Sequence, residues 1–340
     1  MLARLLTPAR LLSAGLVLLV AVLAILITRG SGKYLEIPDK AHPLADLVRI
    51  PNAKPEDDRG GIYYVDVLRK RATLLESLLP IIRPDGSDLI DKQQVIEPGI
   101  SEQELFQLDL ADMKVSQLVA STVALRQLGY HVTVRPGGLR VVAVTSDSKA
   151  GQVLKAGDVI VSADGKPVLT RADLRVILER HQPGDVVKMA VRRGKKVFVI
   201  DVPTTSDKAD AKRPIIGILP SQALNVHFPF SIRFDLGRVG GPSAGLAFAL
   251  ELLEKRGRDV DHGYKVAATG EIQLDGTVTR IGGVKQKTFG ARKAHVDVFL
   301  VPVDGDNARD AKRYANGLRI IPVKSFQQAL QALATLPRKA

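Results

Sequence analysis

Hydrophobic and polar positions divide this chain into stretches of different texture. From Leu11 to Ile27 every position is apolar except Ser13 and Gly15, a 17-residue run at the short end of what spans a hydrocarbon core as a helix. From Arg29 to Arg59 the chain is polar and carries Pro38, Pro43, Pro51 and Pro55, which oppose a long helix and predict an extended tether lying against the body. Ile62 to Leu68 (IYYVDVL) is rich in strand formers and predicts the first firm strand. Two helices are expected next. Ser101 and Glu104 form a capping box ahead of one, and in the other Val115, Leu118, Val119, Thr122 and Leu125 recur at helical spacing until Gly129 stops it.

Residues 137 to 203 change to short β-rich segments. GLRVVAV reads as a strand, AGQVLKAGDVIVSADGKPV as turn, strand and tight turn, and VVKMAVRRGKKVFVIDV as a hairpin turning near Gly194. Between them Thr170 and Asp173 make another capping box before Leu174, Ile177 and Leu178, which share one helical face. A charged linker, Asp207 to Arg213, follows. From Pro214 strands and helices alternate: VHFPFSIRF, a helix from Ser243 to about Arg256, KVAATGEIQ, VTRI, a helix from about Lys285, VDVFLVP, a helix near Asn307 to Tyr314, LRIIPV, and a last helix from Ser325. Such alternation predicts strands covered by helices on at least one face.

Composition narrows the function. A length of 340 residues suits two domains, and 45% hydrophobic residues with no Trp predict aliphatic cores. The absence of cysteine excludes disulfides, a thiolate nucleophile and cysteine-bound metal. The net charge of +13 is scattered, without the aromatic or zinc-finger signatures of nucleic-acid readers, so no nucleic-acid partner is expected; acidic lipid is the better match of the two, and an ordinary solvated basic surface ranks ahead of both. Arg4 and Arg10 precede the apolar run and Arg29 and Lys33 follow it, so flanking charge hardly selects an orientation. A cleaved signal peptide, with Val22-Leu23-Ala24 as the cleavage site, is the rival to an anchor. The apolar stretch continuing past that site favours the anchor.

Two glycine-rich turns carry the candidate chemistry. Gly240-Gly241-Pro242-Ser243-Ala244-Gly245 leads into LAFALELLEK, where small neighbours admit a substrate backbone and helix N–H groups face Ser243. A serine there is ordinarily an N-cap, and as a nucleophile it needs a base. Of the C-terminal histidines, His227, His262 and His295, none sits in a motif with an orienting carboxylate, which leaves a triad poorly supported. A lysine serves if burial keeps its amine neutral. In Ile281-Gly282-Gly283-Val284-Lys285-Gln286-Lys287 the two lysines are two positions apart and cannot point the same way on a helix, so one should face inward with Val284 and the other outward.

Residues 137–203 resemble a bacterial PDZ domain through Gly137-Gly138-Leu139-Arg140, Ala156-Gly157-Asp158-Val159-Ile160 and Asp164-Gly165. The resemblance implies a peptide groove lined by Gly138, Leu139 and Arg140, where an added strand pairs with a sheet edge. Gly-Gly-Pro-Ser-Ala-Gly, then Ala268-Thr269-Gly270-Glu271-Ile272, then Ile281 to Lys287 resemble the proteolytic domain of the Lon family from about Pro214 to Leu333, and the order of anchor, PDZ-like module and Lon-type domain resembles the bacterial PDZ-containing Lon-like proteases over nearly all of the chain. That resemblance implies Ser243 as nucleophile and Lys287 as general base, 44 residues apart. It also implies Thr269 as the hydroxyl orienting the lysine. Gly240 departs from the commoner acid at that position. The oxyanion donors expected are the N–H groups of Ser243 and Gly241.

The expected fold is α+β: an N-terminal transmembrane helix and a PDZ-like β-rich domain inserted before a Lon-type α/β proteolytic domain. The divisions are a basic segment 1–10, an anchor 11–28, a tether 29–60, an N-terminal part of the protease region 61–136, the PDZ-like domain 137–203, a linker 204–213 and the proteolytic domain 214–335. The strand at Ile62 is expected to belong to the catalytic fold. The expected function is a single-pass, membrane-anchored endopeptidase acting outside the cytoplasm on unstructured polypeptide. Neither a phosphate loop (G-x-x-x-x-G-K-[ST]) nor a zinc-protease motif occurs, so ATP-independent, metal-free chemistry with no cofactor is expected. Homo-oligomerisation follows from resemblance alone. The alternatives are a catalytically silent PDZ adaptor at the membrane and small-molecule phosphoryl transfer.

Overall fold

Apolar residues that alternate along four short strands bury both faces of a mainly parallel sheet, as parallel sheets require. The computed structural model describes residues 8–54, 59–96, 99–208 and 210–339. Arg4 and Pro55 lie outside these spans, and so does the side chain of Arg10. The helices are α1 (Pro8–Thr28), α2 (Leu74–Leu78), α3 (Lys92–Val95), α4 (Glu102–Gln127), α5 (Arg171–Leu178), α6 (Gly245–Lys255), α7 (Val284–Lys293), α8 (Asn307–Arg313) and α9 (Phe326–Ala334).

The parallel strands run in the order Gly61–Tyr64, Lys265–Ala268, Val298–Pro302 and Arg319–Val323, with His42–Pro43 antiparallel at one edge. Val266, Ala268, Val298 and Leu300 point into a core shared with α6 and α9. Ala267, Phe299 and Val301 point the other way, against α7 and α8. The strand at Ile62 therefore pairs with the C-terminal sheet, Ile62 opposite Val266, across about two hundred residues of intervening chain.

IYYVDVL does not form one strand. It breaks at Val65-Asp66, and Val67–Thr73 enters a separate antiparallel sheet in which Gly30–Pro38 is the middle strand and Asp88–Asp91 the far edge. The expected tether thus begins as a sheet strand with Leu35 fully buried. The two helices expected after residue 100 are one, α4, capped by Ser101 and Glu104 as anticipated. VHFPFSIRF forms no continuous strand. Val226 ends the strand Ile218–Val226 opposite Val134, and Arg233–Phe234 pairs separately with Val48–Arg49.

The PDZ-like sheet has the order Lys196–Pro203, Val186–Arg193, Val159–Ala163, Val134–Val144 and Ile218–Val226, over its own core of Leu139, Ile160, Met189 and Val191 closed by α5. Its last strand lies beyond the expected linker, across which Thr205–Ser206 pairs with Pro214–Ile215. α4 packs on both this sheet and α6, so one long helix joins the two halves. α1 is long and apolar enough to cross a membrane, and its Leu11–Thr28 window is unburied.

Candidate active site

Ser243 does not cap a helix. α6 starts at Gly245 with Ala244 as its N-cap and no side-chain cap bond, so the Ser243 hydroxyl stays uncommitted in the turn before it. Several bonds hold that turn. Gly241 N–H donates to Asp109 O of α4 (2.7 Å), Ser116 Oγ donates to Pro242 O (2.9 Å), and Gly270 N–H donates to Ser243 O (2.8 Å). Gly240 has to be glycine here, because a Cβ would stand 2.7 Å from Asp109 Cβ. Where the commoner motif carries an acid, this chain brings in α4 and its Asp109, whose carboxyl burial pushes above its usual range.

The second turn works through backbone shape. Gly283, at φ 65°, is the N-cap of α7 in the left-handed region, and a Cβ on it would lie 2.7 Å from Val67 Cγ2. α7 then points its two lysines apart as their spacing requires. Lys285 reaches outward to Asp88 Oδ1 (2.6 Å), while Lys287 turns inward and is only 4% exposed. Gln286 Nε2 donates to the other oxygen of Asp88 (2.8 Å), tying α7 to the antiparallel sheet.

The result is a close contact of two side chains distant in sequence: Lys287 Nζ lies 2.7 Å from Ser243 Oγ. Thr269, fully buried, accepts from Lys287 Nζ at 3.4 Å and donates to Ser243 O at 3.1 Å. Burial pushes the Lys287 amine down to about 8, against the pull of the Asp66 and Glu36 charges, which raise it. The pair opens into a cleft of about 890 Å³ whose walls include Glu36, Asp66, Leu105, Phe106, Asp109 and Val239.

Two expectations need correction. The Gly241 N–H is taken by Asp109 O, so it is not available to an oxyanion, whereas the N–H groups of Ser243 and Ala244 have no backbone acceptor among the described residues. Gly138, Leu139 and Arg140 line no free edge. The Val134–Val144 strand pairs with Ile218–Val226 on one side and with Val159–Ala163 on the other, and Leu139 is wholly buried. Strand addition there has no open backbone to meet. The sheet ends instead at Ile218–Val226.

Sequence reasoning missed Asp66, although a carboxylate inside the strand-forming run YYVDVL was a visible signal. Burial and the nearby Asp39 raise its pKa, while His42 and Lys287 oppose them. Asp39, His42 and Asp66 bring potential ligand atoms within 4.8 Å of one another, but His42 and Asp39 already satisfy each other at 3.2 Å.

A family model described as the Lon protease (S16) C-terminal proteolytic domain matches residues 221–335, the span that holds both Ser243 and Lys287. This is a Lon-type proteolytic domain. A PDZ-domain model matches residues 126–204, so the Lon-type domain follows a PDZ domain in the chain. Among curated relatives, Lon protease 2 of Bacillus subtilis is 33% identical over 36% of this chain and 21% of its own length. Lon protease 1 of Sorangium cellulosum is 31% identical over 46% of this chain and 23% of its own. The chain thus spans between a fifth and a quarter of these relatives. The solved PDZ domain of an SdrC-like protein from Listeria monocytogenes is 31% identical, covering 26% of this chain and 92% of that one at a TM-score of 0.24.

Proposed function

We propose that the chain is a membrane-anchored serine endopeptidase in which Ser243 attacks a peptide carbonyl and Lys287 takes and returns the proton. One observation carries the reading: a buried amine, its pKa lowered to about 8, lies 2.7 Å from an uncommitted serine hydroxyl inside an open cleft. With the amine neutral, the Ser243 hydroxyl donates its proton to Nζ as the C–O bond forms. The N–H groups of Ser243 and Ala244 then face the developing oxyanion. Lys287 hands the proton to the departing amine, and water, activated by the same amine, hydrolyses the ester. Thr269 positions both partners, bonding the amine and the Ser243 carbonyl together.

The substrate is polypeptide in an unstructured segment, in keeping with the Lon-type and PDZ domains. A peptide end would add to the outer edge of Ile218–Val226. From there Ser221 Oγ donates to Asp112 Oδ1 of α4 (2.8 Å), one turn from the Asp109 carbonyl that holds Gly241, a route by which occupancy would reach the serine turn. The lack of a phosphate-loop motif in these residues favours cleavage without ATP, and α1 supplies the anchor that holds the catalytic region at the outer membrane face. Serine-directed acylation of the full chain in detergent, with casein cleavage measured with and without Mg-ATP, tests the reading. Labelling and cleavage should be equal with and without nucleotide and be lost in both Ser243→Ala and Lys287→Ala. Cleavage that survives Ser243→Ala removes the dyad, whereas a native chain that neither labels nor cleaves makes the silent adaptor the better account.

A further inference from the structure

An apolar turn beside α1 has no cover. Leu78, Leu79, Ile81 and Ile82 are 64%, 45%, 91% and 46% exposed, so with Pro80 they make five consecutive apolar residues facing outward. An exposed run of that kind marks a contact surface. The turn is built rather than frayed. Thr73 and Glu76 cap α2 reciprocally, and Arg83 Nε and Nη2 donate to the carbonyls of Glu76 and Ser77 at 2.6 and 2.9 Å, which closes the base and leaves the tip outward.

Its position names the occupant. Leu74 N–H donates to Arg29 O (2.9 Å) and Thr73 pairs with Gly30, so the turn leaves the antiparallel sheet where α1 enters it, and α2 packs along α1. The turn is therefore continuous with the unburied apolar window Leu11–Thr28. Carboxylates around its base carry cations: Glu76 meets Lys70 at 2.6 Å, and Asp91 meets Lys33 at 3.3 Å. Pairing removes much of the cost of bringing those acids near lipid, and Arg29 lies exposed at the end of α1 for headgroup phosphates, while Arg71 is paired with Glu102 at 2.8 Å.

We propose that Leu78–Ile82 is a second membrane contact, seated at the boundary of headgroups and acyl chains beside α1. This rests on the reading of α1 as an anchor. A single helix leaves a protein free to tilt and rotate above the bilayer, and a second apolar contact a short way along the chain removes that freedom. The sheet fixed in this way contributes Glu36 to the cleft wall, and its Asp88 holds Lys285 and Gln286 of α7. The cleft is thereby held at a set height, so its substrates are chain segments close to the membrane surface.

The chain has no native cysteine, so single-cysteine variants of the full-length protein take a polarity-sensitive nitrobenzoxadiazole label cleanly. Ile81→Cys, Leu18→Cys and Lys166→Cys are placed in phosphatidylcholine–phosphatidylglycerol vesicles that carry nitroxides at the headgroup, shallow or deep acyl positions. The expected result is strongest quenching by deep nitroxides at position 18, emission at least halved by headgroup and shallow nitroxides at position 81, and no quenching at position 166. Position 81 behaving like 166 while 18 is quenched overturns the second contact and leaves the anchor standing. No quenching at 18 overturns the anchor and this inference with it. A blue-shifted but unquenched probe at 81 that self-quenches with labelled copies means that another chain covers the turn, which also overturns the proposal.

Discussion

Lys287 is an amine held away from water against a serine, and its ionisation ties stability to activity. Below pH 8 it is protonated in the folded and the unfolded chain alike, and folding bears the full cost of burying a cation. Between about 8 and 10.5 the folded chain releases its proton while the unfolded chain keeps one, so stability climbs with pH. Lys287→Met should abolish cleavage yet raise stability at pH 7 by up to about 3 kcal/mol, an advantage that fades by pH 10 in urea denaturation at the two pH values. A Met variant less stable at pH 7 would contradict the burial cost. The pH profile of kcat/KM should rise through about 8 as the amine becomes neutral. Asp66 raises the Lys287 pKa, so Asp66→Asn should move that rise to lower pH, and an unchanged or upward midpoint would show that its charge does not reach the amine. Thr269→Val leaves Gly270 N–H on the Ser243 carbonyl but removes the hydroxyl from the amine. The expected loss is in kcat, about tenfold for one hydrogen bond, with KM little changed in steady-state assays.

At the scale of elements, α7 matters for what it packs against. Gly290 lies so close to the chain at Asp39 that a Cβ would stand 1.9 Å from the Asp39 carbonyl oxygen, and its own carbonyl accepts from Ala41 N–H. Backbone cannot yield as a side chain does, so Gly290→Ala should destabilise at or above the upper end of the roughly 1–3 kcal/mol usual for overpacking. Thermal unfolding would record the loss, and a change near zero would mean that α7 is not held as described. The local signals of several elements were legible in sequence: the capping boxes at Ser101 and Thr170, the hairpin at Gly194, and the opposed directions of Lys285 and Lys287 follow from rules acting over a few residues. IYYVDVL was misread as one strand because strand propensity says nothing about which sheet a residue joins. Its two halves part at Asp66 to serve different partners.

For the molecule as a whole, the PDZ domain keeps its own core while sharing α4 with the Lon-type domain. Met189 is fully buried in that separate core, so Met189→Ala should cost about 2–5 kcal/mol within the module. Hydrogen exchange should quicken across the strands between 134 and 203 and spare Lys265–Ala268 and Val298–Pro302. Equal quickening in the parallel sheet would mean that the two cores unfold as one unit. What the sequence alone determined about this protein is its local chemistry: an apolar segment of spanning length, PDZ-like and Lon-like motifs in order, and a serine and lysine in turns suited to them, since capping, periodicity and motif spacing are short-range. Only the tertiary structure decided that Gly61–Tyr64 completes a sheet begun two hundred residues later, that Asp109 occupies the Gly241 N–H, that both edges of the Val134–Val144 strand are filled, and that Asp66 faces the buried amine. Each of these depends on contacts between residues far apart in the chain, and burial, which sets the state of Lys287, exists only once the elements have packed.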